Sequence, residues 1–242
     1  MTRTAVLDNV VHKDLRVRTG HSAEFGDNVN MAMVFPTEFA FVQREYPILF
    51  RKDGNGDFQA VALLGLDADE NLFLDESGWN ARYVPAVQQR GPFLIGLRKP
   101  ADGENREPMM QVDLDHPRIS KTEGEMLFLP HGGNSRYLDH ASRMLQIIYR
   151  GTAHIRPMFT AFEKTGLIEA IDVDVEIDRT LNYKIPGFFT ISADRLAGLG
   201  GEELERLNKA GYLQLAMQVL ASLGNVSWLI ELKNRKRAKD KA

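Results

Sequence analysis

The sequence predicts an α+β protein: antiparallel β meander and hairpins first, then a long central helix, then a helical C-terminus. Three observations carry this. The first third sets short apolar runs around Gly, Pro, Asn and Asp clusters; residues 135–162 carry apolar side chains at helical spacing; and four helical patterns follow the strictly alternating stretch 171–178.

Taken in order, Val29, Met31 and Met33 alternate with small or polar residues, as a strand does. Pro36 then suits the first position of a helix over 37–45, which Pro47 stops. Segments 48–52 and 58–66 flank Asp53-Gly54-Asn55-Gly56-Asp57, a hairpin signal, and 71–75 is expected to extend the hairpin into a meander. A short helix over 81–89 is interrupted by Pro85, and a strand over 93–97 follows Gly91-Pro92. Residues 98–108 hold two prolines and six charges, which marks a surface loop or a joint between two lobes. Ser135 caps the long helix, which is expected to bend near Gly151 or Pro157. After 171–178, Arg179-Thr180 turns the chain into 181–192, where Pro186-Gly187 predicts an edge or a bulge. Helices are expected over 193–199, 202–211, 212–223 and 226–236. The chain is thus read as one domain over 1–232 with a basic tail over 233–242, which holds six Lys/Arg and one Asp.

The composition of the 242 residues excludes several classes of function. A net charge of −3 offers no electrostatic case for nucleic acid. Zero cysteines remove disulfides, thiolate metal sites and cysteine nucleophiles together. Asp8 and Asn9 interrupt the N-terminus where a signal peptide needs an apolar stretch, and the longest apolar runs, such as 61–66, are far shorter than a membrane span. The expectation is a cytoplasmic protein.

Several short motifs approach chemistry without completing it. Asp53-x-Asn55-x-Asp57 and Asp67-x-Asp69-x-Asn71 begin like calcium loops, but Phe58 and Leu72 stand where a Gly is needed, and Leu64 and Gly78 where a Glu is needed. Both read as turns. His12-x-Asp14 on an extended segment offers two metal ligands on one face, and a distal His among His116, His131, His140 and His154 would complete an iron site. The alternative is a polar strand end. His131-Gly132-Gly133-Asn134 ahead of a helix suits an anion or a plain capped loop, and Gly20-His21-Ser22-Ala23-Glu24 lacks the last glycine of a nucleophile elbow. Asp172, Asp174, Glu176 and Asp178 share a strand face about 6.6 Å apart. They form a solvated face or a docking surface for a basic partner. No motif requires a cofactor.

Several strings in order resemble the SapC family: Val11-His12-Lys13-Asp14-Leu15-Arg16-Val17, Pro36-Thr37-Glu38-Phe39, Arg44-Glu45-Tyr46-Pro47-Ile48 and Phe58-Gln59-Ala60-Val61-Ala62-Leu63-Leu64-Gly65-Leu66. Asn71-Leu72-Phe73, Trp79-Asn80-Ala81-Arg82-Tyr83-Val84-Pro85, Arg90-Gly91-Pro92-Phe93, Gly187-Phe188-Phe189 and Leu220-x-Ser222-Leu223 continue it, while the segment with His131 and His140 departs from it. The resemblance carries no established active site. The family name comes from association with bacterial surface-layer proteins, and the resemblance implies an accessory protein working with a flavin-dependent halogenase or a TonB-dependent uptake system. His12, Arg16, Glu45, Tyr46, Trp79, Arg82 and Tyr83 lie in the resembling segments and combine aromatic faces with charge, the mixture typical of recognition sites. The alternative for Tyr46, Trp79 and Tyr83 is a core that joins a helix to the meander. The rival function is a non-haem iron enzyme built on His12 and Asp14.

Overall fold

Prolines and carboxylate-closed turns set the element boundaries in the first half of the chain. The structure, a computed structural model, describes residues 3–98, 107–178 and 181–240. Strands β1 (Thr4–Val6), β2 (Arg16–Val17) and β3 (Met31–Met33) lead to a 3-10 turn, Pro36–Glu38, continued by α1 (Phe39–Val42). The helix expected over 37–45 therefore starts as a 3-10 turn and is short. Glu38 Oε1 accepts the Phe35 N–H at 3.1 Å, which closes that turn. Strands β4 (Ile48–Lys52) and β5 (Phe58–Leu63) form the expected hairpin. Asp53 Oδ1 accepts from Asn55 N at 2.8 Å and Asp57 N at 3.0 Å, an Asx turn rather than a metal loop.

The third strand of this meander differs from expectation. It is β3, paired with β5 through Ala32↔Ala62, and not residues 71–75. Glu70 folds the intervening loop by accepting the Leu66 N–H at 3.2 Å, and Asn71 Oδ1 accepts the Phe73 N–H at 3.0 Å. The chain is turned away into a separate two-stranded pair, β6 (Leu74–Asp75) and β7 (Gly78–Trp79). The helix expected over 81–89 begins only after Pro85, as α2 (Ala86–Gln89).

Strands β8 (Phe93–Arg98) and β9 (Glu107–Asp113) pair antiparallel, and β1 joins the outer side of β9. Most of the loop-or-joint segment 98–108 lies outside the described residues. Two short strands, β10 (Ile119–Ser120) and β11 (Glu125–Met126), flank β2. Helix α3 (Arg136–Lys164) has 29 residues and begins at Ser135, whose Oγ accepts from Leu138 N at 3.2 Å. Its helical assignment runs unbroken through Gly151 and Pro157. The acidic alternation falls on β12 (Ile168–Asp178), which pairs with β13 (Leu181–Ile191) in a five-stranded sheet ordered β12-β13-β4-β5-β3. Asp172 faces the space opposite Pro186-Gly187 where the register shifts, the expected bulge, while the side chains of Asp174, Glu176 and Asp178 and the turn Arg179-Thr180 lie outside the described residues. Helices α4 (Ala193–Ala197), α5 (Gly201–Lys209), α6 (Tyr212–Ser222) and α7 (Asn225–Asp240) complete the chain.

Burial divides α3 into two working halves. Leu138, Ala141 and Leu145 pack with Leu15, Val17, Phe93, Val112 and Leu127, whereas Met158, Phe159 and Phe162 pack on the five-stranded sheet against Phe50, Ile48 and Leu167. At about 44 Å the helix is long enough to serve both cores. Between them, Thr37 Oγ1 donates to the Ile147 carbonyl at 2.9 Å, and a Cβ at Gly151 would lie 2.4 Å from Phe35 Cβ. Gly151→Ala should therefore lower stability by about 1–3 kcal/mol through overpacking, despite alanine's helix preference of about 1 kcal/mol. A urea titration showing a more stable variant would refute the close approach.

The stretch Tyr212–Asp240 holds an 18-residue window apolar enough to cross a membrane by length and composition. It is divided between α6 and α7, and Ala216, Val219 and Leu229 from it belong to the main core. Lys233, expected in an exposed tail, is buried on α7 among carboxylates.

Candidate functional site

Five of the seven residues singled out as a recognition set converge where α1 meets the segment after β7. Tyr46 is fully buried, donates its hydroxyl hydrogen to the Tyr83 carbonyl at 2.6 Å and accepts from Trp79 Nε1 at 2.8 Å. Tyr83 in turn donates to Glu38 Oε2 at 2.7 Å, which also accepts the Ala86 N–H at 2.9 Å. Burial pushes the Glu38 carboxyl above the ordinary glutamate range, opposed by the Tyr83, Ala86 and Phe35 hydrogen bonds. Burial also raises both phenols, so Tyr46 and Tyr83 stay protonated at neutral pH. Tyr46 thus packs in the main core and Trp79 and Tyr83, both half-buried, pack against its margin, as the core alternative expected. There Phe41, 49% exposed, stacks on the Tyr83 ring with centroids 5.3 Å apart. The Arg44 guanidinium stands 5.8 Å from the Phe41 centroid, and Arg82, with a 93% exposed side chain, approaches Glu45 at 3.7 Å.

His12 and Arg16 are not part of this cluster. Arg16 lies on β2 and donates to the Gly124 carbonyl at 2.9 Å, between Leu15 and Val17 of the second core. His12 sits in a turn, not on an extended segment, and its Nδ1 accepts the Asp8 N–H at 3.1 Å. Asp14 is exposed in the same turn. No group of three His, Asp or Glu suited to a metal occurs among the described residues, so geometry lends the iron reading no support.

Next to this network lies a polar cavity of about 80 Å³, lined by Gly20, His21, Gln88, Gln89, Gly91, Arg118, Tyr137 and His140. Trp79 joins the two, because its ring meets the His21 imidazole edge-on at 5.4 Å. Arg118 is buried, with Nη2 donating to Asp27 Oδ2 at 2.7 Å, Nη1 donating to the Gly20 carbonyl, and its guanidinium 4.4 Å from the Phe25 centroid. Asp27 Oδ2 also lies 3.3 Å from His21 Nδ1 and accepts the Ser22 N–H at 3.0 Å. On α3, His140 Nε2 meets Gln89 Oε1 at 2.8 Å, and Tyr137 stands one turn before it. Burial, with Arg143 and His21 nearby, holds His140 below the ordinary histidine range; burial also raises Tyr137 to about 12.

Of these cavity residues the sequence singles out only His140, as one of four candidate distal ligands of an iron site. His21 was met only inside a failed nucleophile elbow, and Arg118 stands in a segment with no periodicity. The one local signal was Tyr137 and His140, three residues apart and so on one helix face.

Fold and site together define an α+β protein in which a tyrosine, tryptophan and glutamate network of the main core adjoins a cavity lined in part from beside the second core. The chain belongs to the SapC family, whose model matches residues 7–229. No curated protein and no solved structure matches it.

Proposed function

We propose that this chain is a cytoplasmic accessory protein that binds a protein partner through the surface formed by Phe41, Arg44, Arg82 and Tyr83. The observation that carries the reading is Phe41, an aromatic left half exposed while stacked on Tyr83 with the Arg44 guanidinium beside it. An aromatic anchor beside guanidinium groups is the residue mixture that dominates binding energy at protein interfaces. The buried bonds from Tyr46 and Glu38 hold Tyr83 in place before any partner arrives, which reduces the ordering cost of association. The family resemblance supplies the partner class: a flavin-dependent-halogenase-like enzyme or a component of a TonB-dependent uptake system.

Co-purification with a halogenase-like enzyme and, separately, with an uptake-system component tests the reading. Phe41→Ala and Arg82→Glu should each weaken the complex by about 2 kcal/mol or more, the scale of an interface hot spot. Both variants should melt near the wild type, since surface changes usually alter stability by about 0.5 kcal/mol or less. Unchanged partner capture by both variants, or a monomer that retains neither partner under gentle conditions, would count against it.

A further inference from the structure

We propose that the cavity between His21, Arg118, Tyr137 and His140 binds a small oxyanion, of the size of inorganic phosphate or acetate. At about 80 Å³ it has room for roughly five water-sized spheres, enough for an anion of a few heavy atoms. Its walls come from four places in the chain: residues 20–21, the end of α2 with Gly91, the loop before β10, and the first turns of α3, the positive end of that helix dipole.

Hydrogen bonding settles which nitrogen of each imidazole is already used. Gln89 Nε2 donates to the Val84 carbonyl, which turns Oε1 toward His140 and requires a proton on His140 Nε2. His21 Nδ1 is likewise occupied, lying 3.3 Å from Asp27 Oδ2 and 3.5 Å from Arg118 Nη2. His140 Nδ1 and His21 Nε2 are left without a hydrogen bond among the described residues, and so is the Tyr137 hydroxyl. Gly91 makes space for that hydroxyl, because a Cβ there would lie 2.5 Å from it.

Three polar atoms without hydrogen-bond partners among the described residues thus line one half-open space. The fixed charges around them nearly cancel: Arg118 and Arg143 face Asp27 and Glu125, with Arg90 set against Asp113 further out beside His116, which burial holds below the ordinary histidine range. Protonating His21 and His140 adds two N–H donors and up to two positive charges, and Tyr137 adds an O–H donor. An anion satisfies all three at once. A cation would meet the Arg118 guanidinium, already placed for a negative partner. Binding and proton uptake are therefore coupled, and the anion should raise His140 toward the ordinary histidine range.

Calorimetry with inorganic phosphate and, separately, with acetate at pH 6 and pH 8 tests this, with histidine NMR titrations alongside. Affinity should be at least about tenfold higher at pH 6, matching one histidine proton taken up per anion. A preference for phosphate, which is mainly the monoanion at pH 6, would identify a phosphoryl site and a preference for acetate a carboxylate site. Tyr137→Phe should weaken binding by about tenfold or more, the worth of one hydrogen bond to a charged group, while preserving the packed ring. His140→Gln should remove most of the pH dependence. The proposal is overturned by absence of binding for both anions at pH 6, by affinity independent of pH, or by equal affinity in Tyr137→Phe.

Discussion

Lys233→Met is expected to lower the stability of this protein by about 3–5 kcal/mol near neutral pH. Lys233 is buried on α7, and its ammonium donates to Glu70 Oε1 at 2.8 Å, Glu70 Oε2 at 3.0 Å and Asp67 Oδ2. Methionine fills the same space without the charge, so Glu70, itself buried, keeps as its ion pair among the described residues the half-exposed Lys236 ammonium at 3.0 Å, beside the Leu66 N–H at 3.2 Å. That remaining contact places the expected loss at the lower end of the range. The acid limb supplies a second signature. Burial alone would push the Glu70 carboxyl up, but hydrogen bonds from Lys233 and Lys236 outweigh it and hold the group below the ordinary glutamate range. A lowered folded value means that ionised Glu70 stabilises the fold above its unfolded pKa of about 4.3. That stabilisation disappears as the pH falls through the folded value. Urea titrations from pH 7 to pH 3 should show the wild type losing stability below about 4.3 and the variant changing much less. Equal stability of the two proteins at pH 7 would mean that α7 is not held by this charge cluster.

What could be read from the sequence is what short-range chemistry controls. The Asp53 turn, the Ser135 cap, the bulge at Pro186-Gly187 and the alternation over 171–178 each rest on residues within a few positions of one another, and all four are found. The third meander strand was misplaced because a side chain overrode the apolar pattern: Asn71 bonds Asp27 and Phe73 and diverts the chain into β6 and β7. The recognition set was half legible for the same reason. Glu45 and Tyr46, and Trp79, Arg82 and Tyr83, are two short neighbouring segments, and one fold contact brings them together. Arg16 stands between Leu15 and Val17 of the second core and His12 in the turn before it, a separation that family likeness along the chain does not encode. Glu38, which orders Tyr83 and the start of α2, looked like part of an amphipathic helix.

The Asp27–Arg118 pair also lies beyond local prediction, since 91 residues separate two charges that meet at 2.7 Å. It fastens residues 18–28 to the loop before β10, and both side chains are 4% exposed. Asp27→Ala should therefore cost about 3–5 kcal/mol, because an uncompensated guanidinium would remain buried against Phe25. Arg118→Met should cost a similar amount by stranding the carboxylate, which retains only His21 and the Ser22 N–H. The double variant is the informative member of the cycle. With both charges gone neither desolvation penalty persists, so its loss should fall short of the sum of the single losses by more than about 1 kcal/mol. Additive losses would show that each residue acts through separate neighbours, Arg118 through the Gly20 carbonyl and Asp27 through the Ser22 turn. A coupled result would make this buried ion pair the fastening between the N-terminal segment and the second core, and the fixed wall against which His21 is held.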